Sequence, residues 1–128
     1  YQGDGKLVQI PIAEFCRQKP DNSILTAVHI QKTGRKIVYQ SFRNTETDFP
    51  VLTAAVSVKD GKYCAAVGAR PMRAREVYAD NIPELIEQAK ALPYQNNIRA
   101  SAEYRRMLSG VLIQRAADEL ERIGTNGN

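Results

Sequence analysis

Val51-Leu52-Thr53-Ala54-Ala55-Val56-Ser57-Val58-Lys59-Asp60-Gly61-Lys62-Tyr63-Cys64-Ala65-Ala66-Val67-Gly68-Ala69 is the stretch whose reading decides the fold. Two β-rich runs, 51–58 and 62–69, flank Lys59-Asp60-Gly61. Asp-Gly between such runs is a strong hairpin signal, because both residues adopt positive φ at low cost. Both runs are rich in alanine (Ala54, Ala55, Ala65, Ala66, Ala69), and Gly68 lies near the end of the second. Small side chains on a sheet face let another element approach closely. A helix of this chain or a ligand fits that description, and the helix is the commoner occupant.

Upstream of the hairpin, residues 35–43 have strand alternation, with Ile37, Tyr39 and Ser41 opposite Val38, Gln40 and Phe42. Residues 31–34 are turn chemistry ending in Gly34. Residues 24–30 read as a further strand, with Ile24, Thr26, Val28 and Ile30 on one face and Leu25, Ala27 and His29 on the other. Lys19-Pro20-Asp21-Asn22 is a breaker cluster, and Pro11 starts a helical turn carrying Ile12, Phe15 and Cys16. Residues 1–5 read as loop and 6–10 as a short extended piece.

Downstream, residues 70–78 are mixed, with Pro71 ending the hairpin strand. Asn81 is placed to cap a helix that has Pro83 in its first turn and runs to about Leu92. After a loop at 93–100, Ser101 caps the longest helix. Its expected core stripe is Tyr104, Met107, Leu108, Val111, Leu112, Ala116, Leu120 and Ile123, and Gly124 ends it. Strands first and helices after give an α+β fold: an antiparallel sheet of three to four strands with about three helices packed on one face.

The 128 residues are one domain's worth of chain, and 43% hydrophobic with 25% charged is ordinary globular composition. No apolar run approaches the roughly 20 residues that span a bilayer, and no signal peptide is visible. The formal charge of +4 sits in two acid-free basic runs: Lys32, Arg35, Lys36 and Arg43, then Lys62, Arg70, Arg73 and Arg75. Such runs attract phosphate or acidic surfaces, but more often they form a solvated face. Cys16 and Cys64 match no zinc or redox spacing and read as free buried thiols, which points to a reducing cytoplasm. The single His29, in an alternating apolar segment, reads as a core or sheet-face residue. No catalytic set and no metal site is expected from these residues.

Three segments resemble the C-terminal part of the FAD-binding subunit of molybdenum hydroxylases, the xanthine dehydrogenase and carbon monoxide dehydrogenase class. The first is Val8-Gln9-Ile10-Pro11-Ile12-Ala13-Glu14-Phe15 followed by Ser23-Ile24-Leu25-Thr26-Ala27-Val28-His29-Ile30. The second joins Tyr39-Gln40-Ser41-Phe42-Arg43 to Asp48-Phe49-Pro50-Val51 and Ala54-Ala55-Val56-Ser57-Val58. The third, and most specific, is Asn97-Ile98-Arg99-Ala100-Ser101-Ala102-Glu103-Tyr104-Arg105-Arg106, continuing from Val111 to Ala116. The likeness runs from about Val8 to Leu120.

The resemblance implies an accessory role in electron transfer from iron–sulfur clusters through FAD to NAD or another acceptor. It implies FAD held mainly by an N-terminal domain, since no glycine-rich phosphate-binding turn occurs here. It places the molybdenum cofactor and 2Fe-2S clusters on partners, a molybdenum-binding subunit and an iron–sulfur subunit. By the same resemblance, residues 1–30 form a tail of the flavin-binding domain or linker, 31–124 the C-terminal flavoprotein domain and 125–128 a disordered tail.

Tyr39 matches the family's flavin-side aromatic. Gln40 falls where a lysine commonly stands, so either Gln40 is a neutral substitute or Arg43 supplies the charge. The plain alternative for Tyr39 is a half-exposed strand aromatic without a ligand. Tyr104 is expected in the core stripe, with Arg105 and Arg106 bonded to loop carbonyls or paired across subunits. The competing reading of the whole chain is a stand-alone α+β module that binds nucleic acid or an acidic protein through its basic middle. An independent small enzyme relying on His29 or Tyr39 has the least support.

Overall fold

The computed structural model describes residues 6–125, with the side chain of Thr125 left aside. The chain divides into two compact units, Tyr1–Thr33 and Gly34–Asn128. In the first, the only described regular element is α1, Ile12–Phe15. Pro11 fixes φ at −55° ahead of it, and its carbonyl accepts from Glu14 N (3.0 Å) and Phe15 N (2.9 Å). None of its residues is buried.

The second unit runs β1 (Lys36–Phe42), β2 (Leu52–Lys59), β3 (Lys62–Gly68), β4 (Arg75–Ala79), α2 (Ile82–Lys90) and α3 (Ala102–Thr125). The four strands form one antiparallel sheet in the order β1-β2-β3-β4. Asp60 (φ 51°) and Gly61 (φ 75°) make the β2–β3 turn with two positive φ values, as a twisted two-residue hairpin requires. Alternation sends Val38, Leu52, Ala54, Val56, Ala65 and Val67 to one face, where they join the core. Helix α3 packs over β1 and β2, and α2 over β3 and β4.

Helix α2 starts as its residues demand. Asn81 Oδ1 accepts from Glu84 N (2.9 Å), Pro83 occupies the first turn, and Leu85 and Ala89 are buried. Such a cap is worth about 1 kcal/mol, and burial of Leu85 contributes roughly 2 kcal/mol. For α3, Ser101 Oγ accepts from Tyr104 N (3.1 Å) and Asn96 Oδ1 from Ala102 N (2.6 Å), which satisfies two of the orphan amides. Gly110 lies under α2, where a Cβ would meet Ile86 Cγ2 at 3.2 Å and Lys90 Cε at 3.1 Å. The two helices therefore approach closely at that point.

The α+β class and the antiparallel sheet match expectation, but six local readings need correction. Residues 24–30 form no strand and are exposed throughout, because no described strand pairs with them and alternation alone supplies no hydrogen-bond ladder. The segment after the hairpin, read as mixed, instead contributes β4. It is a short edge strand whose charged Arg75 and Glu76 disguise its alternation. Of the stripe expected on α3, Leu108, Leu112, Ala116 and Leu120 are buried, but Tyr104, Met107, Val111 and Ile123 are exposed, and Arg105, Ser109, Ile113 and Ala117 complete the buried face instead. Cys64 is buried as expected, but Cys16 is exposed, and so is His29 on its strandless segment. Helix α3 continues through Gly124 to Thr125. The loop expected at 1–5 and the tail expected at 126–128 lie outside the described residues.

Candidate functional site

The face of the sheet opposite α2 and α3 has a definite order, because register aligns every second residue of all four strands. The first row is Ile37, Ser57, Cys64 and Tyr78, and the second is Tyr39, Ala55, Ala66 and Glu76. The third holds Ser41, Thr53 and Gly68. The central strands thus supply a floor of small side chains, and the edge strands supply larger walls. Adjacent strands lie about 4.8 Å apart, so the β1 and β4 walls stand roughly 14 Å from each other. Gly68 is required here, since a Cβ would come within 2.6 Å of Thr53 Oγ1.

Tyr39 stands on this face and is 60% exposed. Gln40, the next residue, projects to the helix side, and its Nε2 donates to Glu119 Oε2 of α3 at 2.8 Å. Arg43 returns to the open side: its Nε donates to Ser41 Oγ (3.3 Å) and its Nη1 to the carbonyl of Asp48 (3.1 Å). The structure therefore groups Tyr39 with Arg43 and separates both from Gln40. A two-residue repeat in the strand is enough to produce that division.

The Tyr78 hydroxyl and the Cys64 thiol of the first row are both held protonated near pH 7. Tyr78 Oη donates to Glu76 Oε2 at 2.6 Å, and chiefly that bond pushes its pKa up to about 12. Burial, followed by the nearby Glu76 carboxylate, pushes the Cys64 thiol up. The face carries no activated nucleophile. Among the described residues no group of three His, Cys, Asp or Glu side chains is placed to hold a metal.

A second feature lies in the loop between α2 and α3. Arg105 is fully buried, and its Nε donates to Val51 O (2.9 Å). Its Nη1 donates to Gln95 O and Ala100 O (both 2.7 Å) and its Nη2 to Asn97 Oδ1 (2.5 Å). Arg70, also buried, donates to Pro93 O and to Arg73 O (2.7 Å). Desolvation lowers the pKa of both guanidinium groups, and both remain cations at neutral pH. The loop so held presents Ile98, 96% exposed. Beside it, Arg99 pairs with Asp48 (3.0 Å) and lies 5.3 Å from the ring centre of the exposed Phe49.

Sequence reasoning anticipated carbonyl bonding by Arg105, and Arg106 likewise donates to Lys90 O (3.1 Å). It missed the clamp by Arg70, for which a basic residue between a strand and Pro71 offers no signal. The basic runs do not act as one surface: Arg70 is interior, whereas Arg35 and Lys62 lie at the hairpin end of the open face. No family model, curated protein or solved structure matches this chain.

Proposed function

We propose that this chain is the C-terminal part of the FAD subunit of a xanthine dehydrogenase-like molybdenum hydroxylase. In that role its open sheet face covers the flavin edge and its rigid loop docks neighbouring subunits. The observation that carries the reading is Tyr39, an aromatic ring left 60% exposed beside the small-residue floor of Ala55 and Ala66. A flat floor with one exposed ring suits the edge of a planar cofactor.

The fit is partial, and its limits define the division of labour. With no glycine-rich turn to cradle a pyrophosphate, FAD is held mainly by the N-terminal domain of the subunit. Of the two candidates for a charged partner, Arg43 is on the side of Tyr39, and Gln40 is occupied with Glu119. Bound FAD supplies electron transfer from the 2Fe-2S clusters to NAD or another acceptor. The residues of this chain position and cover, and none makes or breaks a bond.

Ile98, on the loop anchored by Arg105, and Phe49, in the β1–β2 connection under Arg99, suit the docking task, since exposed apolar side chains already held in place lose little entropy when a partner covers them. The partners in this reading are the molybdenum-binding and iron–sulfur subunits, in the cytoplasm, where Cys16 and Cys64 stay reduced. No described helix is long and apolar enough to cross a membrane. The visible absorption spectrum of the native, untruncated protein that contains this segment tests the proposal. Flavin bands above iron–sulfur absorbance are expected. A colourless protein overturns the assignment.

A further inference from the structure

At the hairpin end of the open face, beyond the row of Ile37, Ser57, Cys64 and Tyr78, lies the pair Lys59 and Lys62, with Arg35 just before β1 and Asp80 just after β4 beside it. Lys59 and Lys62 are directly paired across the hairpin. Arg35 turns to the same side, where its Nη1 lies 3.4 Å from Ser57 Oγ. Together with Asp60, Cys64 and Tyr78 these residues line a recess of about 330 Å³. Its lining holds three cations against one carboxylate. The fold thus brings Arg35 of the first basic run together with Lys62 of the second and with Lys59, which belongs to neither.

Those cations are available. The hydroxyl of Ser57 is neutral, so it leaves the charge of Arg35 uncompensated. Among the described residues Lys59 has no ion pair. Lys62 shares Asp80 at 3.6 Å, with both side chains 76% exposed, and so solvated a pair is weak and easily exchanged. Glu76, the other nearby acid, is engaged with the Tyr78 hydroxyl. Tyr78 and Cys64 stay protonated and add no negative charge to the floor. Like charges directly opposite on a hairpin, as Lys59 and Lys62 are here, are destabilising, and an anion held between them would relieve that cost.

We propose that this recess binds a pyrophosphate group, with Arg35, Lys59 and Lys62 holding the phosphates and the Tyr78 ring forming the adjacent wall. Arg35 offers a planar fork to phosphate oxygens, and the two lysines act as mobile point charges on either side. The inference stands apart from the flavin reading, since it uses the hairpin end of the face and none of Tyr39, Gln40 or Arg43.

The test is titration of the intact protein with inorganic pyrophosphate and, separately, with ADP at low ionic strength, followed by calorimetry and phosphorus NMR. Binding in the millimolar range or tighter is expected, weakening steeply with added salt. Lys59→Glu should lower the affinity about tenfold or more. Lys36→Glu makes the same change in net charge one residue from Arg35, but on the helix side of β1, and should change it less than about threefold. Thermal melts of both variants confirm that each is folded. ADP binding tighter than pyrophosphate, with the excess lost in Tyr78→Ala, identifies a nucleotide as the source of the group. Equal binding of the two identifies free pyrophosphate. No binding, or equal losses in Lys59→Glu and Lys36→Glu, overturns the site in favour of general charge attraction.

Discussion

Arg105 shows how one side chain can organise a loop that has little regular structure of its own. Its guanidinium satisfies carbonyls from β2's approach, from the 93–100 loop and from the residue before the helix cap, together with one side-chain amide oxygen. No carboxylate is among those partners. The charge is balanced by oriented carbonyl dipoles, an arrangement that a planar five-donor group can meet and a single ammonium cannot. Arg105→Met keeps most of the volume but removes the donor to Val51 O and Gln95 O, while Ala100 O and Asn97 Oδ1 keep backbone donors, and should cost about 2–4 kcal/mol. Arg105→Lys should cost roughly 2 kcal/mol, because one nitrogen cannot span acceptors on several sides. Urea unfolding of the two variants measures both losses. A Met variant within 1 kcal/mol of the parent protein would show that the loop holds without its anchor.

Helix α3 separates what its sequence displays from what its packing selects. Apolar residues occur on both of its sides, and periodicity alone groups Tyr104, Met107, Val111 and Ile123 with Leu108, Leu112, Ala116 and Leu120 in one stripe. Packing keeps the Leu108, Leu112, Ala116 and Leu120 half of that stripe and turns it toward Arg105, Ser109, Ile113 and Ala117, where Ser109 is small enough to be covered and Arg105 reaches its carbonyls. Leu112→Ala should therefore cost about 3 kcal/mol, against under about 1 kcal/mol for the neighbouring Val111→Ala. Denaturant midpoints of the pair decide the orientation, and equal losses would put Val111 back in the core beside Leu112. The hairpin and both caps were legible because Asp60-Gly61, Asn81-x-Pro83 and Ser101 act through local backbone chemistry. The strand expected at 24–30 and the overlooked β4 depended on a partner at long range. Alternation in a single segment cannot report whether that partner exists. At the candidate site, strand alternation already separated Tyr39 from Gln40. The recess around Arg35, Lys59 and Lys62 was not legible, since it needs the register of all four strands.

The molecule's second unit is a two-layer structure whose sheet has helices on one side only, an arrangement that antiparallel sheets tolerate when the other side is polar. Here the other side is not simply polar: Ile37, Tyr39 and Tyr78 are each more than half exposed around a floor of alanine, serine and cysteine. The stability of the fold resides in the helix-side core, so the open face is free to change without unfolding the protein. Tyr39→Ala should therefore alter the unfolding free energy by no more than about 0.5 kcal/mol, the usual scale for an exposed position away from the core. If the proposed flavin role holds, the same change in the intact protein should perturb the flavin absorption spectrum or slow electron transfer to the acceptor. The two readouts separate the possible roles of the ring. A melting temperature that falls while spectrum, potential and turnover stay fixed would make Tyr39 a packing residue of an edge strand. An unchanged melt with an altered flavin signal requires the ring to act outside its own domain, from the one side of the sheet that α2 and α3 leave uncovered.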